Sequence, residues 1–195
     1  NVFPVLCVSG KENIGVGRLM EFITFNVPSP TEALHAKTLV SGEKITFNEA
    51  APTTLFVFKT ANETHVGNIV YMKVMSGELA EGMDVVNSTN EGKERIAQIF
   101  VNSGKTRTKI EKAAAGDIIS TIKLKDVSTN DTLTSTKNIG DKLNEIKFPE
   151  PIYTTAIKAV DSADDEKLGM VLNEYASNDC SLKVEIAREL KQTII

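Results

Sequence analysis

The residues able to do chemistry in this chain are few, and their spacing limits the reactions open to them. A nucleoside triphosphatase of the common loop type needs G-x-x-x-x-G-K-[ST] to cradle phosphates, and guanine reading needs Asn-Lys-x-Asp. Neither is present: Gly10-Lys11 is followed by Glu12, and no Gly stands at position 5. These 195 residues are therefore not expected to hydrolyse a nucleotide. His35 and His65 are too few and too isolated for a metal site, and no Cys/His cluster exists. Cys7 lies inside an apolar run and reads as a small buried hydrophobe, while Cys180 has no assured base beside it, so no nucleophile–base pair can be assembled. Asp164-Asp165 reads as a helix opening, where carboxylates suit the dipole and no acid–base role is needed.

What remains is electrostatic. Residues 91–112 carry Lys93, Arg95, Lys105, Arg107, Lys109 and Lys112 against Glu91, Glu94 and Glu111, a local excess of +3 on a chain of net charge −4. A cationic strip of this kind can contact a phosphate backbone, although from charge alone a solvated hairpin is the plainer reading. Little aromatic residue is interleaved with it, so shape and phosphate recognition are expected rather than base stacking. Ser9-Gly10-Lys11, taken alone, is a turn at a strand end.

Three textures must position these residues. Val2–Val8 is a nearly unbroken apolar run of the kind found in the middle of a parallel sheet, and Val16, Leu19, Phe22 and Ile23 follow at helical spacing. Residues 1–28 thus read as one β–loop–α step of an α/β domain whose other strands are not in the chain. The reading predicts a tail that is poorly ordered or docks on its neighbour. Residues 29–54, with Pro30 and Pro52, read as a linker or covering segment. Residues 55–147 hold short β-prone runs at Leu55–Thr60, Asn68–Met75, Met83–Val86, Arg95–Val101, Asp117–Leu124 and Thr132–Leu133, separated by Gly- and Asn-rich turns. That pattern predicts a closed barrel or a sandwich. In 117–124, Ile118/Ser120/Ile122 alternate with Ile119/Thr121/Lys123, as in a barrel wall partly covered outside. Residues 148–195 read as a βαββ segment: strand Ile152–Val160, helix Asp161–Ser177 opened by Ser162 and Asp165 as an approximate capping box, strand Leu182–Ile186, a turn at Arg188-Glu189 and a run Leu190–Ile195. Leu168, Val171, Leu172 and Tyr175 form one helix face.

Composition narrows the class. With 41% apolar and 25% charged residues the chain is an ordinary globular sequence, and two Cys rule out a disulfide-stapled scaffold. Its apolar runs are far shorter than the ~18–20 residues of a membrane span, and no signal peptide is visible, so no membrane partner and a cytoplasmic location are expected. The net charge argues against a general DNA or RNA binder.

The sequence resembles elongation factor G. The resemblance rests on Phe58-Lys59, Val66-Gly67, Lys73-Val74, Ser76-Gly77, Gly82, Asn87-Ser88-Thr89, Gly92-Lys93-Glu94-Arg95-Ile96, Ala115-Gly116-Asp117-Ile118, Asp131-Thr132-Leu133, Phe148-Pro149-Glu150-Pro151, Lys167-Leu168 and Gln192-Thr193-Ile194, in that order and spacing. It implies a mainly β fold: a translation-factor domain II β-barrel, flanked by a βα remnant of an α/β GTPase domain and by a partial α+β ferredoxin-like domain III. It further implies a monomeric translational GTPase parent that takes GTP with Mg2+, binds the small ribosomal subunit through rRNA and protein, and promotes tRNA/mRNA translocation. Ser9, Gly10 and Lys11 then match the last guanine loop, where a backbone N–H meets the base carbonyl. Lys59, Asn62, His65, Lys93, Arg95, Lys105 and Arg107 match the barrel edge that faces rRNA. Ser9-Gly10 replaces the family's Ser-Ala, Asn130 the Gly of its Thr-Gly-Asp-Thr-Leu turn, and Asn178-Asp179-Cys180 its Glu-Asp-Pro, as in a divergent paralogue. A ribosomal-protection or recycling-type relative, and a stand-alone barrel module binding RNA or protein, are the alternatives.

Overall fold

Short strands separated by residues in left-handed conformation dominate the chain, as its β-branched runs and Gly/Asn punctuation require. The computed structural model describes residues 3–32, 37–38, 40–42, 44–63, 65–104, 106–135, 142–187 and 192–195. In chain order the elements are α1 (Val16–Asn26), β1 (Lys37–Thr38), β2 (Lys44–Ile45), β3 (Thr54–Glu63), β4 (Gly67–Ser76), β5 (Glu78–Ala80), β6 (Met83–Asn87), β7 (Lys93–Ile96), β8 (Ile99–Ser103), β9 (Thr106–Ile110), β10 (Lys112–Ala114), β11 (Ile118–Ile122), β12 (Thr132–Thr134), β13 (Ala156–Ile157), α2 (Asp165–Asn178), β14 (Glu185–Ala187) and β15 (Gln192–Ile194).

Eight strands pair in the order β7-β6-β12-β3-β4-β11-β8-β9, every pairing antiparallel. The sheet curls: Ile96 near one end and Ile99 near the other join Leu55, Val70, Met72, Val74, Ile119 and Leu133 in one buried core. The two-stranded β5–β10 sheet adds Leu79 and Ala113 to it. This is the expected barrel, open rather than fully paired around its circumference. Its central strands are buried on both faces. Phe56 and Met75, on the outer side, pack with Leu143, Ile45 and Phe47 from the flanking segments.

Several sequence expectations change in detail. Arg95–Val101 is not one strand but two, β7 and β8, and the polar run Thr106–Ile110 is a strand that its composition concealed. In β11 the inward residue is Ile119, fully packed in the core, whereas Ile118 is 59% exposed. The apolar run at 3–8 forms no strand. Phe3 and Val5 are more than 80% exposed, and Cys7 is exposed rather than buried, because the described residues offer no strand to pair with it. α1 forms as its periodicity demands but buries none of its residues fully.

The last segment has the expected βαββ order. β13, β15 and β14 make an antiparallel sheet with β15 in the middle, and α2 precedes β14. Asp164 holds the N-cap position of α2 without a side-chain cap bond, and Asp165 and Glu166 supply the acidic first turn. Of the expected helix face, Leu172 is buried while Tyr175 remains 62% exposed. The turn expected at Arg188-Glu189, and His35, lie outside the described residues.

Candidate nucleic-acid interface

The β3–β4 hairpin carries three of the residues expected to face RNA. Lys59 lies on its exposed side, with Nζ 6.0 Å from the centroid of Tyr71 on the paired strand. That distance is within reach of a cation–π contact, which steadies the ammonium group without neutralising it. His65 stands at the hairpin tip with φ of +78° and an exposed ring, and the following N–H, of Val66, donates to the Glu63 carbonyl at 3.1 Å. Asn62 points elsewhere: its Nδ2 donates to Glu174 Oε1 on α2 at 2.6 Å. Its side-chain amide is therefore engaged inside the molecule.

Lys93 and Arg95 lie on β7 and Arg107 and Lys109 on β9, the two end strands of the eight-strand order. Many of the charges are also answered locally. Arg107 Nη2 reaches both carboxylate oxygens of Glu63 at 3.2 Å, and its guanidinium lies 6.0 Å from the Phe100 ring centroid. This makes Arg107 a staple between the β3–β4 and β8–β9 hairpins, with a buried Nε that has no hydrogen-bond partner among the described residues. Lys109 Nζ meets Glu81 at 2.7 Å and Lys112 Nζ meets Glu78 at 2.7 Å. Glu78 raises the Lys112 pKa, first by its hydrogen bond and then by its charge. Lys105 lies outside the described residues.

The outer face of β7 is different. Alternation along the strand places Lys93 and Arg95 on one side and Glu94 on the other. Glu94 is turned to internal use, its Oε1 accepting the N–H groups of Lys125 and Asp126 at 3.1 and 2.9 Å. Arg95 Nε is 4.0 Å from Asp84 Oδ1, with both side chains mostly exposed, a contact worth little in water. Lys93 has no ion pair among the described residues. β7 is thus an edge strand whose exposed face is cationic because its one carboxylate has been folded inward.

Below these surfaces lies a polar scaffold that spacing alone does not disclose. Asn87, fully buried, donates through Nδ2 to Asp131 Oδ2 at 2.8 Å and accepts the Thr89 N–H at 2.9 Å on Oδ1. The same Asp131 oxygen accepts the Ser128 N–H at 2.8 Å. Asn130, with φ of +79°, keeps the left-handed turn that a Gly would otherwise supply.

The Ser9-Gly10-Lys11 turn is closed by Ser9 and Ile14, whose backbones exchange hydrogen bonds of 3.0 and 3.1 Å. Ser9 Oγ accepts the Glu12 N–H at 3.3 Å. The Gly10 and Lys11 N–H groups have no partner among the described residues and could meet a base carbonyl. The chain holds no phosphate loop beside them, and no group of three or more His, Cys, Asp or Glu among the described residues could hold a metal ion. No described helix is long and apolar enough to cross a membrane.

An open translation-factor barrel followed by an α+β segment, one helix and a three-stranded antiparallel sheet, defines the class. Residues 52–136 match the family model described as elongation factor G domain 2, and residues 148–195 match elongation factor G, domain III. Together these take in more than half of the chain, which belongs to the elongation factor G family. Elongation factor G from Rhodopseudomonas palustris (strain BisB18) is 37% identical over 196 residues, covering 99% of this chain. A crystal structure of a Thermus thermophilus protein superposes with a TM-score of 0.77 at 25% identity, covering 98% of this chain. The chain spans 28% of the length of the first relative and 27% of the second.

Proposed function

We propose that these residues belong to a translational GTPase that binds the ribosome and promotes GTP-dependent movement of tRNA and mRNA, with the barrel docking on small-subunit rRNA. The observation that carries the reading is the register of both family domains along one chain, at 37% identity to an elongation factor G across almost all of it. In this reading the barrel is a rigid coupler between the nucleotide domain and the domains beyond α2, and the whole protein is a cytoplasmic monomer. GTP with Mg2+ would be held mostly by other parts of the protein, and Ser9, Gly10 and Lys11 would contribute backbone donors to the guanine. The rRNA-facing residues reduce to Lys59, Lys93 and Arg95, whose charge is free or weakly held, with the exposed His65 at the hairpin tip. Arg107 and Asn62 support that surface from within, and Lys105 is carried over on the resemblance.

The test uses the full-length protein with Lys59→Glu and Lys93→Glu, singly and together, in ribosome-binding titrations across salt concentrations. Each lost phosphate contact lowers the slope of log K against log [salt] by about 0.7–0.9. A double variant with unchanged affinity and unchanged slope would overturn the rRNA-docking assignment.

A further inference from the structure

The free or weakly held cations of the barrel sit on two elements. Lys59 and His65 belong to the β3–β4 hairpin, and Lys93 and Arg95 belong to β7, with β12 and β6 between them in the sheet. One short segment touches both, the turn at 123–127 that follows β11. Ile122, the last residue of β11, pairs with Ile69, so the chain leaves the sheet beside the start of β4, toward the hairpin tip. Three residues on it has reached β7. The N–H groups of Lys125 and Asp126 both donate to Glu94 Oε1, at 3.1 and 2.9 Å. Glu94 stands between Lys93 and Arg95 in the strand.

The turn is held firmly. Besides the two bonds to Glu94, the Asp126 carbonyl accepts Nδ2 of Asn87 at 3.2 Å and Nδ2 of Asn90 at 3.0 Å. Leu124 and Val127 are buried in the barrel core, which leaves Lys123, Lys125 and Asp126 exposed. Neither lysine has an ion pair among the described residues. Lys123 has φ of +66°, left-handed backbone that a long side chain seldom adopts. A glycine would turn the chain there without strain, and residues held against such a preference gather where a side chain has a task.

We propose that the 123–127 turn is a third element of the RNA-facing surface, where Lys123 and Lys125 meet phosphates lying between those met by β3–β4 and by β7. Glu94 is its positioning residue. The inference rests on the reading that this barrel docks on small-subunit rRNA. An RNA backbone suits the turn better than an acidic protein segment, because the turn exposes cations and no apolar side chain that could anchor a protein partner. A carboxylate beside such a surface would ordinarily weaken it. Glu94 acts in the opposite sense, since it faces away from the Lys93 and Arg95 side chains and fixes the backbone that carries Lys125.

The experiment titrates the full-length protein onto ribosomes between about 50 and 200 mM salt, with Lys59→Glu/Lys93→Glu as the reference for the docking reading. Lys123→Gly removes a side chain and keeps the left-handed turn, so it should fold as well as the parent. Lys125→Gln removes only a charge. Together they should lower the slope of log K against log [salt] by about 1.4–1.8, so that over this range the parent loses about tenfold more affinity than the double variant. Glu94→Ala should weaken binding although it removes a negative charge, and Glu94→Gln, which keeps the acceptor oxygen, should bind as the parent does. Thermal unfolding of each variant separates a displaced turn from a damaged barrel. With p-azidophenylalanine in place of Lys125, irradiation should join the protein to rRNA. Cross-links to ribosomal protein alone would overturn the RNA assignment. If the Lys59/Lys93 variant lowers the slope and the Lys123/Lys125 variant does not, the turn is no part of the surface and the docking reading stands. If neither lowers it, both fail. A folded Glu94→Ala variant that binds more tightly than the parent would overturn the positioning role of Glu94.

Discussion

Asn130 and Ile146 exchange a reciprocal pair of hydrogen bonds, side-chain amide to backbone peptide, across a separation of sixteen residues. The amide does what a neighbouring strand would do, giving one donor and one acceptor to the backbone of the barrel exit. The same residue holds φ of +79°, where Gly is the strain-free choice. Asn is thus retained at a strained position and used for a contact that Gly cannot make.

Substitution separates the two roles. Asn130→Gly keeps the turn and loses both bonds to Ile146, so it should destabilise the barrel by about 1 kcal/mol, with added chain entropy in the unfolded state. Asn130→Ala loses the bonds and also strains the turn, for a total of about 2–3 kcal/mol. Urea unfolding of the two variants against the parent checks the order. Equal losses would mean that the Ile146 contact contributes alone.

The buried pair Asn87–Asp131 ties β6 to the turn before β12. Asp131→Ala would leave the Asn87 amide and the Ser128 N–H without their shared acceptor, and about 2–4 kcal/mol of stability should be lost. Asp131→Asn can present its carbonyl oxygen to both donors, so it should recover at least half of that loss. Thermal unfolding of both variants decides. A loss from Asp131→Asn as large as from Asp131→Ala would mean that the negative charge, not the acceptor geometry, stabilises the turn.

Much of this was legible beforehand and some was not, for physical reasons. The β3–β4 hairpin and the turns around it follow from apolar runs bounded by Gly and Asn, so a barrel was foreseeable, though not that its end strands are left unpaired with each other. Strand β9 was hidden because an exposed edge strand needs no apolar alternation, and Thr-Arg-Thr-Lys reads as a solvated loop. The inward face of β11 was left open by its alternation because Ser120 is itself fully buried, with Asn102 of β8 against it. With both faces buried, alternation no longer names the core side. At the candidate interface the sequence supplied the cations but not their partners. Glu63 and Glu78 lie 44 and 34 residues away from the Arg107 and Lys112 they meet, and only pairing of the strands brings them together.

Asp179 offers a local pH test. Its Oδ1 accepts the Ser181 hydroxyl at 2.6 Å and the Ser181 N–H at 2.9 Å, and these bonds, the hydroxyl first, hold its carboxyl below the usual range. A depressed folded-state pKa stabilises the turn above the unfolded value, and the benefit is lost as pH falls through the folded value. Ser181→Ala should move the Asp179 titration upward, toward an ordinary carboxylate, in carboxyl-detected NMR. No movement would assign the depression to the backbone bond alone.

Gly77 and Gly67 share left-handed backbone but not surroundings, which makes them a matched pair. Gly77 has φ of +73°, and a Cβ there would stand 2.6 Å from both the Thr53 N and Cα atoms and 2.7 Å from the Ala51 carbonyl oxygen. Gly67 has φ of +83° and open space within 4 Å of the same added atom. Gly67→Ala should therefore cost only the left-handed penalty, about 1–2 kcal/mol. Gly77→Ala adds a collision between two backbones at the junction of β4 and β5, where neither can yield as a flexible side chain would. It should cost at least about 2 kcal/mol more, a difference that urea unfolding of the two variants reads directly. If the two substitutions are equally destabilising, the segment 51–53 is free to retreat, and the close approach that seats it on the barrel is not a constraint of the fold.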